Sequence, residues 1–179
     1  DLFAGAERTS SDPLIGLHAA AHATPRGPLL FLMLAEANLE ASLHAWERYA
    51  PIPISSLRVQ VELDPDGAAM VLDLGESVLE ETPHVVEYLM LALLTALVRA
   101  ASGELRPVRV ELRHAAHGEV AEAERVLRCP VVFGAARHAI VFRRRDLAMP
   151  SRLANPEIAA QIRAPAAPAP RQAPLHPPR

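Results

Sequence analysis

The chain has 179 residues, half of them hydrophobic and 22% charged, with a net charge of −3. That is enough apolar material for one sizeable core, while the single cysteine excludes both an intrachain disulfide framework and a cysteine-based zinc site. Charge is unevenly divided, with residues 1–100 holding 14 acidic and 5 basic side chains and residues 101–179 holding 7 and 13. Because the arginines of the second half alternate with apolar residues or lie scattered in the tail, they are expected to be solvated rather than to form a nucleic-acid surface.

In chain order, Asp12 is a good N-cap with Pro13 at the first helical position, where a missing N–H costs nothing, and the helix is expected to run to about Ala23. Thr24-Pro25-Arg26-Gly27 breaks it. Pro28 then opens a second helix predicted to reach Tyr49, with Leu29, Leu32, Met33, Leu39, Leu43 and Trp46 forming an apolar stripe. Pro51 and Pro53 forbid its continuation and set an extended entry to a sheet.

Leu57, Val59, Val61 and Leu63 alternate with Arg58, Gln60 and Glu62, the period of a strand with one dry face. Asp64-Pro65-Asp66-Gly67 reads as a turn with Gly67 at positive φ, and Met70, Leu72 and Leu74 continue a second strand. Thr82 to Ser102 is a helix capped by Thr82, with Pro83 in its first turn and Gly103 at its end. Its centre, Val85 to Val98, is apolar nearly all round. It is shorter than the roughly 20 apolar residues a membrane span needs and is flanked by Glu87 and Arg99. No membrane association follows. The helix is expected at the centre of the domain, with the sheet on one side and another helix or a dimer partner on the other.

Val108, Val110 and Leu112 repeat the strand period against Arg109, Glu111 and Arg113; a short helix follows, then two strands about Gly134, with Ile140 and Phe142 in the last. The fold class read from this pattern is α+β, an antiparallel or mixed sheet of about four to five short strands covered on one face by helices. Residues 1–11 are expected to be a flexible start, 12–163 the folded domain, and 164–179 a disordered tail of proline and alanine.

Candidate chemistry is sparse. His18 and His22 lie four apart on a helix and could face one metal, but spacing supplies no third ligand, so neither a metal nor another cofactor is expected. His114 and His117 read as polar groups of a loop. Cys129, before Pro130, reads as a small buried hydrophobe. No GxSxG, P-loop, H-E-x-x-H or dinucleotide fingerprint occurs, and no catalytic residue is assigned.

Two long stretches carry a family resemblance. The first is DPLIGLHAAAHATPRGPLLFLMLAEANLEASLHAWERYAPI, from Asp12; the second is PVRVELRHAAHGEVAEAERVLRCPVVFGAARHAIVF with RRRDLAMPSRLAN behind it, from Pro107 to Asn155. Together they resemble the arabinose-binding-like N-terminal sensor domain of AraC-type transcription regulators. The motifs are structural, and there are two departures: His138 stands where the family usually has Asn, and HAAH (His114 to His117) where a His-Pro-x-Pro pattern is common. The resemblance therefore implies a scaffold and leaves the ligand open.

What it implies is an effector-sensing, dimerising domain of a bacterial regulator, cytoplasmic and not an enzyme, whose partners are an unknown small-molecule effector and a second copy. DNA contact is expected only through a helix-turn-helix reader, which is absent from this chain. Trp46, Tyr49, His84 and Tyr88 are the effector-contact candidates, each combining apolar area with a polar tip. A constitutive dimerisation module without an effector, and a small enzyme of unknown class, are the competing readings.

Overall fold

The computed structural model describes residues 5, 9–22, 27–51, 57–63, 65–74 and 83–166. Most of the expected flexible start, residues 23–26 of the first proline-containing break, residues 52–56 of the second, the expected cap Thr82, and the tail beyond residue 166 lie outside the described residues. Helices α1 (Ile15–His22), α2 (Pro28–Ala35) and α3 (Leu39–Tyr49) lead into strands β1 (Arg58–Leu63) and β2 (Gly67–Asp73). Helix α4 (Pro83–Ala100) follows, then β3 (Arg109–Leu112), α5 (Val120–Leu127), β4 (Val131–Phe133), β5 (His138–Arg143) and α6 (Pro156–Ala166). The fold class is α+β, as the sequence pattern predicts.

The five strands are ordered β1-β2-β5-β3-β4, antiparallel throughout except for β3 beside β4. That one parallel step is made possible by α5, which carries the chain across the sheet. The register places Val61, Met70, Ile140, Val110 and Val131 in one row across all five strands. Met70, Ile140 and Val110 are fully buried there and join Leu43, Met90, Leu94 and Phe142 in one continuous core. On the opposite face Glu111 accepts from Arg109 (2.7 Å) and from Arg137 (2.9 Å), and Arg137 also reaches Glu62. Burial alone would raise the Glu111 carboxyl, but the hydrogen bonds from Arg137 and Arg109 outweigh it and hold the group below its ordinary range.

Helix α4 is the one described helix long and apolar enough to cross a membrane by length and composition, yet more than half of it is buried inside the fold. Its second side is covered by α1, the first of the two expected alternatives. The contact is close. A Cβ on Gly16 would stand 2.2 Å from the carbonyl oxygen of His84, so the glycine of the DPLIGL stretch lets two helix backbones touch.

Three local expectations are corrected. The long helix from Pro28 to Tyr49 is two helices, because the backbone groups at the break find partners elsewhere. Asn38 caps α3 by accepting from the Ala41 N–H (2.9 Å), and Leu39 and Glu40 donate to the carbonyls of Met149 and Leu147. Ser151 then binds back to Ala37 and Leu34. Second, Gly67 does not have positive φ; it begins β2, where a Cβ would lie 2.0 Å from the Phe142 carbonyl oxygen. The expected left-handed glycine is found instead at Gly134, φ 68°. Third, proline and alanine composition suggests a tail from residue 164, whereas α6 extends to Ala166, and its Arg163 pairs with Glu36 on the turn after α2.

Helix α1 is also clasped electrostatically. Asp12 accepts from the Leu14 N–H (2.9 Å) and faces His18 Nδ1 at 2.7 Å, while His18 Nε2 meets Glu122 of α5 at 3.1 Å. The hydrogen bond to Asp12 is the main reason the His18 imidazole is held above its ordinary value of 6.5, assisted by Glu122 against burial. A group raised on folding adds stability that is fully present below its unfolded value and disappears as pH rises through the folded one. His18→Gln should therefore lower the urea midpoint most at about pH 5.5 and leave it unchanged near about pH 9. The effect is small, since these side chains are about one third exposed and screened by solvent. An equal loss at both pH values would assign the clasp to shape alone.

Candidate functional site

The N-terminal end of α4 carries His84 and Glu87 three residues apart, on one helix face. Opposite them runs the connection from β3 to α5, which contains His114 and His117. Its position is fixed by backbone bonds: Gly134 donates to the His114 carbonyl and Ala135 to that of Leu112, both at 2.9 Å. The two elements bring three imidazoles around one carboxylate. His84 Nδ1 lies 3.4 Å from Glu87 Oε2; His117 Nε2 and His114 Nε2 lie 3.1 and 3.9 Å from Glu87 Oε1.

Glu87 is 0% exposed, and neither of its oxygens accepts a hydrogen bond from the described residues. An ionised carboxylate in that setting is costly unless cations or protons compensate it. The rings pack closely, His84 edge-on to His117 with centroids 5.0 Å apart and His114 tilted on His117 at 5.1 Å. The His114 imidazole has its pKa lowered, first by burial. His138, beyond it at 6.2 Å between ring centroids, is pushed down to about 4, again by burial first and then by the charges of His114 and Arg113. Its Nδ1 accepts from the Arg113 N–H (3.3 Å), so this histidine supplies the acceptor that an asparagine amide oxygen could supply at the same place.

Ligand atoms of His84, Glu87 and His117 all lie within 4.8 Å of one another, close enough for a small side-chain adjustment to bring them onto one ion with bonds of about 2.0–2.1 Å. Sequence reading treats His114 and His117 as loop polar groups and misses this convergence. The available signal was the pairing of H-x-x-E, whose side chains share a helix face, with H-x-x-H in a distant loop.

Of the four effector-contact candidates, His84 belongs to this cluster and Tyr88 follows one turn later on α4, packed against the main core. Trp46 packs on the same core from α3, with its Nε1 buried and without a hydrogen-bond partner among the described residues. Tyr49 sits apart, in a second apolar cluster with Leu32, Ala35, Ala45 and Ala159. His18 and His22 form no cluster with a third ligand among the described residues. Cys129 is buried, and burial with the nearby Glu124 charge pushes its thiol up to about 11, leaving it protonated and unreactive at neutral pH. A recess between α3 and the C-terminal end of α4 is lined by Leu39, Ser42, Leu97, Leu105 and Met149, and its empty volume of about 220 Å³ includes its open mouth.

The family model described as the arabinose-binding domain of AraC transcription regulator, N-term, matches residues 1–151. Among solved structures, the transcriptional regulator CdpR from Pseudomonas aeruginosa is similar, with a TM-score of 0.71 at 20% sequence identity over 84% of this chain and 50% of that one. The likeness is one of fold, and the chain spans about half the length of that regulator. No curated protein matches. With a match that runs from the first helices through the whole sheet, the chain belongs to the family of N-terminal arabinose-binding domains of AraC transcription regulators.

Proposed function

We propose that this domain senses a small-molecule effector and pairs with a second copy, acting in the cytoplasm as the regulatory, non-catalytic part of an AraC-type regulator whose DNA contacts are made by a separate reader domain. The observation carrying this reading is the family match across residues 1–151, which includes every described strand and the central helix. Trp46 adds local support: a buried indole N–H with no acceptor among the described residues gains from a ligand that brings one.

The effector contacts in this reading come from Trp46, Tyr49, His84 and Tyr88, on α3 and α4. None of the four lines the recess at the C-terminal end of α4, whose empty volume of about 220 Å³, open mouth included, is below the roughly 300–1,000 Å³ typical of ligand pockets. Binding would thus favour a conformation in which α3 and α4 stand further apart, and the effector would regulate by preferring that conformation or its assembly.

A panel of amino acids, sugars and fatty acids, read by thermal shift and by light scattering across a dilution series, tests the proposal. At least one compound is expected to raise the melting temperature and to change the assembly state. A dimer unaffected by every compound would overturn sensing in favour of a constitutive dimerisation module. A monomer unaffected by every compound would remove both roles.

A further inference from the structure

We propose that His84, Glu87, His114 and His117 form a binding site for one divalent transition-metal ion of the zinc class, which fastens the start of α4 to the loop between β3 and α5. The tautomer of His114 is fixed by its neighbour. Its Nδ1 lies 3.0 Å from the Ala115 carbonyl oxygen, which can only accept, so Nδ1 carries the proton. In the neutral ring, Nε2 then presents a lone pair towards Glu87 Oε1 at 3.9 Å, too far for a hydrogen bond and unfavourable for two electron-rich atoms. A cation placed between them converts both into ligands. The Nδ1–H to carbonyl bond is the kind of outer support that orients metal-binding imidazoles.

The spacings agree with this assignment. Tetrahedral zinc with bonds of about 2.0–2.1 Å places adjacent ligand atoms about 3.3 Å apart. His117 Nε2 and His114 Nε2 lie 3.1 and 3.9 Å from Glu87 Oε1, and His84 Nδ1 lies 3.4 Å from Oε2 of the same carboxylate. Imidazole with carboxylate is also a donor set suited to first-row transition metals rather than to magnesium or calcium. A buried carboxylate with neither oxygen hydrogen-bonded among the described residues is explained by the same ion.

Four protein ligands close the coordination sphere, which assigns the ion a structural role with no open position for a substrate. Entry is from the loop side, where the His117 side chain is 24% exposed and that of Glu87 is 0%. Because α1 lies on the His84 backbone through Gly16, an ion here would secure three elements at once. The proposal does not depend on an organic effector.

The test uses the full chain, freed of metal with a chelator, dialysed, and titrated with zinc chloride against a chromophoric competitor. One ion per chain is expected, with a melting temperature raised by about 5 °C or more at about a hundredfold excess over Kd. Cobalt(II) should produce the visible absorption of a tetrahedral site. Glu87→Gln, which keeps the shape of the side chain, and His117→Ala, in the more exposed loop position, should each weaken zinc at least tenfold. His18→Gln should bind as the parent does. The proposal is overturned if the parent shows no saturable zinc binding, or if binding survives His117→Ala, whose folding without metal is checked by circular dichroism. Should Glu87→Gln fail to fold, His114→Ala replaces it with the same expected loss.

Discussion

Phe142→Ala is expected to lower the unfolding free energy by about 3–5 kcal/mol, the usual cost of emptying a buried phenylalanine site. Phe142 is 0% exposed and lies on β5, the strand between β2 and β3, within the continuous core. Neighbours cannot collapse easily into the space, because strands are hydrogen-bonded on both sides of it. Against a typical total of about 5–15 kcal/mol this is a large fraction. Urea unfolding followed by the fluorescence of Trp46, the single tryptophan, measures it directly. Phe31→Ala provides the contrast: that ring is 56% exposed, and its loss should change stability by no more than about 0.5 kcal/mol. Similar losses for the two variants would contradict the placement of the core.

Gly16→Ala is expected to cost nearly as much, about 2–3 kcal/mol, by the opposite route of adding one carbon where there is no room. The obstructing atoms are the carbonyl oxygen, Cα and carbonyl carbon of His84, at 2.2, 2.7 and 2.8 Å from the new Cβ. Backbone atoms in a helix cannot rotate away as a side-chain tip can, so α1 has to lift from α4. Helix propensity alone would favour alanine over glycine by about 1 kcal/mol, which makes the sign of the result diagnostic. Gly103→Ala serves as comparison, since its Cβ would meet only Met149 at 3.7 Å. A stabilised Gly16→Ala protein would show that the two helices do not approach this closely.

Much of the architecture is legible in the residues because it follows from short periods. The alternation from Leu57 to Leu63 and from Val108 to Leu112 gives the strands, and the apolar run inside Thr82–Ser102 gives the buried helix. What misleads is any feature decided by partners distant in sequence. Leu29 to Trp46 reads as one apolar stripe, and only the carbonyls of Leu147 and Met149 and the hydroxyl of Ser151 show why the chain divides at Glu36–Asn38. Gly67 follows an Asp-Pro-Asp turn and suggests a left-handed conformation, yet the close passage of the Phe142 carbonyl accounts for it. The histidine cluster belongs to the same class: His84 and Glu87 are ordinary first-turn residues until a loop some 30 positions later closes over them. Fold is written locally here, and the candidate site is not.

The strand order has one more consequence, for the route by which the chain reaches its native state. The hairpin of β1 and β2 can form early, and β3 with β4 can assemble around α5, but these halves share no ladder of their own. Only β5, the last of the five described strands to leave the ribosome, joins them through β2 and β3. During synthesis both halves therefore wait with an unzipped edge, and sheet closure is a late, long-range event that slows folding. It leaves nascent molecules open to pairing with one another until residue 143 has emerged.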